Sequence, residues 1–340
     1  MVKRILAILF LVLAPVSARA ADGYHLTKTI SLPDAGGWDY STVDSAARRV
    51  YVSHGTEVDV LDADTGKVAG IISDLQGVHG IAVAADLGRG FISDGRANAV
   101  VIFDLKTLKK LATVETGKNP DAIEYDPATQ KVFAFNGGTG NATVIDAAKG
   151  KVTGTIDLGG KPEFAATDGT GLVFDNLEDK STLVKIDARQ QKVVQRWPLA
   201  PGEEPSSLAI DSKNHRLFVG CHNHMLVVVN YDTGKVVATA PIGDGVDATV
   251  FDPQTALVMT SNGDGTITVI HQDTPDKYHV VETVKTQKKS RTFTLDEKTH
   301  RLFVPAAMFG AAPAPTPEKP HPRPAIVPGS FSVLVFENSK

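Results

Sequence analysis

The sequence predicts an all-β chain folded as a seven-bladed β-propeller of four-stranded antiparallel blades, and three observations predict it. One unit recurs seven times, every copy carries the same order of strand and turn signals, and the two chain ends supply complementary leftovers. The composition permits this fold: 340 residues with 42% apolar, 22% charged and 6% aromatic content can bury a large core and exclude a disordered or collagen-like chain. Thirty Gly and 19 Pro, with abundant Val, Thr and Asp, lean towards strands and turns rather than helical bundles.

The chain opens with Lys3 and Arg4, an apolar stretch from Ile5 to Ala14, then Pro15 and Ala18-Arg19-Ala20, the pattern of a secretory signal peptide cleaved near Ala20. That stretch falls short of the roughly 20 apolar residues a membrane-spanning helix needs, and no later segment approaches them. The expectation is a periplasmic or secreted protein whose residues 21–340 form one domain without a membrane span. Removing Lys3, Arg4 and Arg19 leaves 32 basic against 39 acidic residues and moves the net charge from -4 to -7, so an overall basic nucleic-acid footprint is excluded. Cys221 is the only cysteine, so no intrachain disulfide holds the fold.

The repeat begins at Tyr51-Val52-Ser53, Phe91-Ile92-Ser93, Phe133-Ala134-Phe135, Val173-Phe174-Asp175, Phe218-Val219-Gly220, Val258-Met259-Thr260 and Phe303-Val304-Pro305, with successive spacings of 40, 42, 40, 45, 40 and 45 residues. Before each lies a short strand ending near Asp44, Asp126, Asp168, Asp211, Asp252 or Asp296. After each lies a third strand such as Val58-Asp59-Val60-Leu61 or Val227-Val228-Val229-Asn230, a turn such as Asp64-Thr65-Gly66-Lys67 or Asp232-Thr233-Gly234-Lys235, and a fourth strand from Val68 or Val236. Four antiparallel strands per 40 to 45 residues make a propeller blade. The last unit stops after Phe331 to Phe336, without a fourth strand, while Tyr24 to Leu32 is a strand with no blade of its own; one closure explains both. The core is expected to include Val52, Val60, Ile92, Ile102, Val219, Val229 and Val269.

The pattern in Tyr51 to Ile72 and again in Leu217 to Ile242 resembles the YVTN family of propeller repeats, over essentially all of residues 24–340. In layout the chain is similar to the secreted, seven-bladed YncE-like group of that family. The resemblance implies a propeller, periplasmic in setting, and leaves the ligand open, because such blades serve binding proteins and enzyme subunits alike.

In a propeller the loops leading into the innermost strands and those joining second to third strands share one face, around the axial channel. Alignment of the units puts Asp39, His79, Asp121, Glu163, Ser206, Asp247 and Arg291 at one equivalent mouth position, with Trp38 beside it. Two readings of this ring compete: the acids accept backbone hydrogen bonds from the neighbouring blade and pin the circle, or they form a polar or cation-binding mouth. Like charges on one axis repel unless a cation, a basic ligand group or Arg291 compensates them.

A second cluster, Cys221-His222-Asn223-His224-Met225, falls in the loop between second and third strands of the fifth unit. Cys221, His222 and His224 join Asp39 and His79 as metal-ligand candidates, with His54 in the matching loop of the first unit, although adjacent strand residues rarely converge on one ion. A third feature is the 308–329 loop of the last unit, with prolines at 313, 315, 317, 320, 322, 324 and 328, expected to be extended and placed to cover the mouth with His321 and Arg323.

No G-x-S-x-G elbow, H-E-x-x-H or P-loop is present. The Asp-Thr-Gly-Lys turns resemble part of the quinone-dehydrogenase repeat, but where that motif continues to a tryptophan this chain has Gly70 or Thr239, so a pyrroloquinoline quinone site is not expected and the turn is read as a hairpin device. No cofactor is expected beyond a possible divalent cation. Three function classes stay open. The preferred one is a non-catalytic binding or interaction scaffold for a small molecule, peptide or cell-envelope protein at the channel mouth. The second is a metal-assisted, lactonase-like hydrolase with His79 as general base and Asp121, Glu163 or Asp247 orienting water or holding the ion. The third is single-stranded nucleic-acid binding, as the YncE-like resemblance suggests, on Arg291, Lys288, Lys289 and Trp38. A closed ring protects its sheet edges, so a monomer is expected.

Overall fold

A computed structural model describes residues 23–33, 36–316 and 322–339; the expected signal peptide and His321 lie outside these. Seven four-stranded antiparallel sheets form the molecule. Blade one comprises Trp38–Asp44, Arg49–His54, Glu57–Asp62 and Val68–Ile72, and blade two Val78–Ala84, Arg89–Asp94, Ala99–Asp104 and Lys110–Glu115. Blade three comprises Pro120–Asp126, Lys131–Asn136, Asn141–Asp146 and Lys151–Asp157, and blade four Pro162–Thr167, Leu172–Leu177, Thr182–Asp187 and Lys192–Pro198. Blade five has Pro205–Asp211, Arg216–Cys221, Met225–Asn230 and Lys235–Pro241, and blade six Val246–Asp252, Leu257–Asn262, Thr266–Thr274 and Lys277–Lys285. Blade seven takes Thr294–Asp296, Arg301–Ala306 and Ser332–Asn338 from the C-terminal end and its outer strand, Tyr24–Ser31, from the N-terminal end. That pairing runs antiparallel from Tyr24 opposite Asn338 to Ser31 opposite Ser332. No helix among the described residues is long and apolar enough to cross a membrane.

Apolar side chains of adjacent blades interlock. The residue that heads each repeat, Tyr51, Phe91, Phe133, Val173, Phe218, Val258 or Phe303, is at most 1% exposed, and the seven expected core residues are buried. Blades seven and one share one cluster in which Ile30 and Leu32 pack with Phe303, Phe331, Val333, Val50, Val52 and Leu61. The closing strand is therefore glued by side chains as well as by its ladder.

Side-chain-to-carbonyl bonds at five blade junctions form a second bond system. Ser93 Oγ donates to the Asp121 carbonyl, Asn176 Nδ2 to that of Ser207, Ser206 Oγ to that of Val246, Ser261 Oγ to that of Ser290, and Thr292 Oγ1 to that of Asp39. On the opposite face, Asp296 accepts from Ser45 Oγ and pairs with Arg48 at 2.7 Å, again across the closing seam. Blade pinning thus runs through backbone carbonyls at and near the mouth position, and the mouth carboxylates are left for other partners.

The Asp-x-x-Thr-Gly-Lys segment is a hairpin turn, as expected: Asp62 Oδ1 accepts from the Thr65 N–H at 2.7 Å and the Thr65 hydroxyl at 2.8 Å, and Gly66 takes φ +68°. Such a carboxylate cap needs no cofactor to explain it.

The closing strand offers a paired test. Ile30 is 7% exposed and Leu26, on the same strand, 50%. Ile30→Asp puts a carboxylate into the blade seven–one cluster and should lower the unfolding free energy by about 3 kcal/mol or more, while Leu26→Asp should stay within about 0.5 kcal/mol. Urea denaturation of the two variants checks this; equal losses would contradict the closure.

Candidate functional site

The first two strands of blades one to six share one irregularity. Their register shifts between Trp38 and Ser41, Val78 and Ile81, Pro120 and Ile123, Pro162 and Phe164, Pro205 and Ser207, and Val246 and Ala248. Each shift is a bulge at the mouth position, and bulges re-aim side chains. The repeat therefore places Asp39, His79, Asp121, Glu163, Ser206 and Asp247 in six equivalent bulges, and Arg291 in the segment leading into Thr294–Asp296.

The structure pairs these groups with one another. His79 Nδ1 lies 2.6 Å from Asp39 Oδ2 and 3.6 Å from Asp121 Oδ1. Lys161 Nζ is 2.9 Å from Glu163 Oε2 and also contacts Glu178, while Arg291 Nη1 contacts Asp247 Oδ2. Ser206 turns away to the Val246 carbonyl. Every mouth carboxylate thus has a cation of the protein's own, and the like-charge repulsion inferred from sequence is compensated internally.

Burial disfavours a charged imidazole at His79, but the hydrogen bond to Asp39 and the charges of Asp121 and Asp39 outweigh it and push its pKa up to about 9. Burial, with Asp39 adding, lifts Asp121 to about 7 against the opposing pull of His79. Burial also lifts Asp247 to about 8 even against the Arg291 guanidinium. At pH 7 the trio therefore centres on an imidazolium.

Tyr40, one residue past the mouth position, crosses the channel: its hydroxyl donates to the Glu163 carbonyl at 2.8 Å and its ring lies 5.0 Å from that of Phe164. Burial, with the charges of Asp121, Asp39, Glu163 and Asp247 behind it, holds the phenol well above its usual range. Beneath Tyr40 runs a cavity of about 220 Å³ lined by Thr42, Ile81, Ile123, Glu124, Phe164 and Phe293 among others. Burial pushes Glu124 up to about 8. Neither residue was singled out from sequence, although both carry a signal: Tyr40 and Phe164 are the two aromatics at a position that is Gly80, Ala122, Ser207, Ala248 and Thr292 elsewhere, and Glu124 is the acid where other units have Thr42, Ala82, Ala166, Ala209, Val250 and Thr294.

The remaining candidates separate. Cys221 is buried in the core between blades four and five, where burial pushes its thiol up to about 12. His222 lies 3.7 Å from Glu204 and His224 3.7 Å from Asp244, so these three do not converge on one point. His54 is buried 2.8 Å from Asp59 within its own blade and does not reach across the ring.

The described flanks of the proline-rich loop, residues 308–316 and 322–329, stand on the mouth face. Phe309 and Ile326 form a β-bridge, Gly310 N–H donates to the Ala325 carbonyl at 2.9 Å and Val327 N–H to that of Met308 at 2.8 Å. This clamp sets Phe309 5.9 Å from the Trp38 ring, which lies 5.4 Å from Phe331 on another side. Together these groups bound a pocket of about 420 Å³ lined by Gly37, Trp38, Lys289, Arg291, Phe309, Arg323, Pro324 and Ile326, at the junction of blades six, seven and one. Lys289 Nζ sits 4.4 Å from the centre of the Phe309 ring. Of the basic and aromatic platform expected from sequence, Trp38, Lys289 and Arg291 meet here, whereas Lys288 is not among the lining residues.

No protein-family model matches the chain, and no curated protein matches it. Among solved structures 1775 chains match, so the architecture is common and does not single out a function. One of them, a chain of Kuenenia stuttgartiensis hydrazine synthase, is 16% identical with a TM-score of 0.69, covering 82% of this chain and 95% of that chain. At this identity the likeness shows the propeller fold alone.

The trio yields a pH prediction. A histidine whose folded pKa is raised favours the folded state while protonated, a contribution complete below about 6.5 and lost as pH rises through about 9. In an NMR titration the His79 ring should titrate above pH 8, and in Asp39→Asn its midpoint should fall by about one unit or more, which is 1.36 kcal/mol per unit. A midpoint near 6.5 in both proteins would contradict the pairing.

Proposed function

We propose that the protein is a non-catalytic binding protein whose mouth pocket captures an anionic molecule carrying a flat or aliphatic portion. The observation that carries this is the pocket of Trp38, Phe309 and Ile326, an apolar surface rimmed by Lys289, Arg291 and Arg323. Small-ligand sites combine apolar walls with a few placed polar groups in this manner. Pro322 and Pro324 flank Arg323 and restrict its backbone, which lowers the ordering cost of binding. Guanidinium groups suit carboxylate, sulfonate or phosphate oxygens through paired hydrogen bonds. On this reading the chain is a YncE-like propeller, exported by residues 1–20 and active outside the cytoplasm as a monomer, with the described flanks of the proline-rich loop as one wall of its site.

The metal-assisted hydrolase reading rests on His79 between Asp39 and Asp121 and is the weaker one, because a base or metal ligand must first shed the proton that these two carboxylates stabilise. Single-stranded nucleic acid is also disfavoured: Lys288 is not among the residues lining the pocket, which leaves three basic side chains there on a chain that is acidic overall.

Fluorescence titration with 8-anilinonaphthalene-1-sulfonate, an aromatic anion, tests the proposal. The wild type should bind it, and Lys289→Ala with Arg323→Ala should weaken binding about tenfold or more, at one to two charge-assisted hydrogen bonds' worth of free energy. A neutral analogue, N-phenyl-1-naphthylamine, should bind the two proteins alike. Equal anion affinity in both proteins would overturn the proposal, and hydrolysis of γ-butyrolactone lost in His79→Ala would replace it with the enzyme reading.

A further inference from the structure

Blade six departs from the repeat at its outer edge. Its last two strands, Thr266–Thr274 and Lys277–Lys285, each run nine residues, whereas the outer pairs of blades one to five run five to seven. At the residue opposite the first position of the second strand, those blades carry Asp62, Asp104, Asp146, Asp187 and Asn230, and blade six carries His271 opposite Leu257. Where the other blades cap a turn with that side chain, this hairpin continues and gathers two more metal-ligating groups.

His271 lies directly opposite His279 in the ladder, with ring centres 5.6 Å apart. Asp273 falls where the register shifts between Gln272 and Thr274, as the extra residue of a bulge. Its carboxylate bridges the two imidazoles: His271 Nδ1 is 2.9 Å from Oδ1 and His279 Nδ1 3.1 Å from Oδ2. The potential ligand atoms of the three residues all lie within 4.8 Å of one another. Lys277, 3.6 Å from Asp273, is the cation that an incoming ion must displace.

The hairpin is held rigidly. Arg216 of blade five donates to Asp276 at 2.6 Å and to the Pro275 carbonyl at 2.9 Å, Tyr278 Oη donates to Pro275 O at 2.8 Å, and the buried Gln272 side chain donates to Asp211 of blade five. Preorganised side chains on an anchored strand pair are what a metal centre requires.

We propose that His271, Asp273 and His279 bind a divalent transition-metal ion of the zinc class. Two imidazoles and one carboxylate form a borderline nitrogen–oxygen set that suits Zn²⁺, Ni²⁺ or Cu²⁺ over Mg²⁺ or Ca²⁺. The ion replaces the Asp273–imidazole hydrogen bonds, links the two strands, and keeps at least one coordination position for water. This site is on the outer rim, independent of the mouth pocket.

The test is calorimetric titration of the untagged mature protein with ZnCl₂ at pH 7.5, beside His279→Ala, Asp273→Asn and His79→Ala. The expected result is one strong site in the wild type, retained in His79→Ala and roughly 30-fold weaker or more in His279→Ala, with a smaller loss in Asp273→Asn. In NMR spectra of the wild type the His271 and His279 imidazole nitrogens should shift with Zn²⁺ and not with Mg²⁺. Absence of Zn²⁺ binding, equal affinity in wild type and His279→Ala, or loss in His79→Ala alone would overturn the proposal.

Discussion

Everything else in this molecule depends on the ladder between Tyr24–Ser31 and Ser332–Asn338. A propeller is a sum of blade-to-blade contacts, so a ring with one incomplete blade would expose the Ser332–Asn338 edge and leave the blade seven–one cluster short of Ile30 and Leu32. No disulfide reinforces the closure, because Cys221 is alone. The seam is instead reinforced at both ends, by Thr292 to the Asp39 carbonyl on the mouth face and by Asp296 with Ser45 and Arg48 on the other.

Closure matters for the site because the mouth pocket lies on that seam. Trp38 opens blade one, Phe309 and Arg323 belong to the insertion in blade seven, and Lys289 and Arg291 lead from blade six into blade seven. The repeated bulge aims the mouth residues at the axis, and internal pairing of Asp39 and Asp121 with His79, of Glu163 with Lys161 and of Asp247 with Arg291 removes the acidity expected there. What remains distinctive, beyond the Arg291–Asp247 pair, is a rim bearing Lys289 and Arg323 with an aromatic floor on a protein that is acidic overall.

Architecture was legible in the sequence because each blade repeats a period, and a period survives even when single residues vary. Blade number, the closing strand and the buried heads of the repeats could all be read from spacing. The mouth ring was legible for the same reason, since aligning the units aligns the bulges. Pairing was not: nothing in the order of residues says that Lys161 rather than an external ion meets Glu163, or that Cys221 sinks into the core while His222 and His224 diverge. The position of Tyr40 across the channel and the meeting of Phe309 with Trp38 depend on how separate blades face each other, which a repeat does not encode. Departures from the repeat, such as His271 in place of an aspartate or Glu124 among small residues, were the signals available for local features.

The central claim is that the mouth is a self-neutralised ring beside an anion pocket. Its most direct test is anomalous diffraction from two crystals of the mature protein, one soaked in sodium iodide and one in manganese chloride at neutral pH. The account predicts an iodide peak against Lys289, Arg291 and Arg323 over the Trp38 and Phe309 rings, and no manganese between Asp39, His79 and Asp121. Manganese bound by that trio, with iodide absent from the pocket, would contradict it.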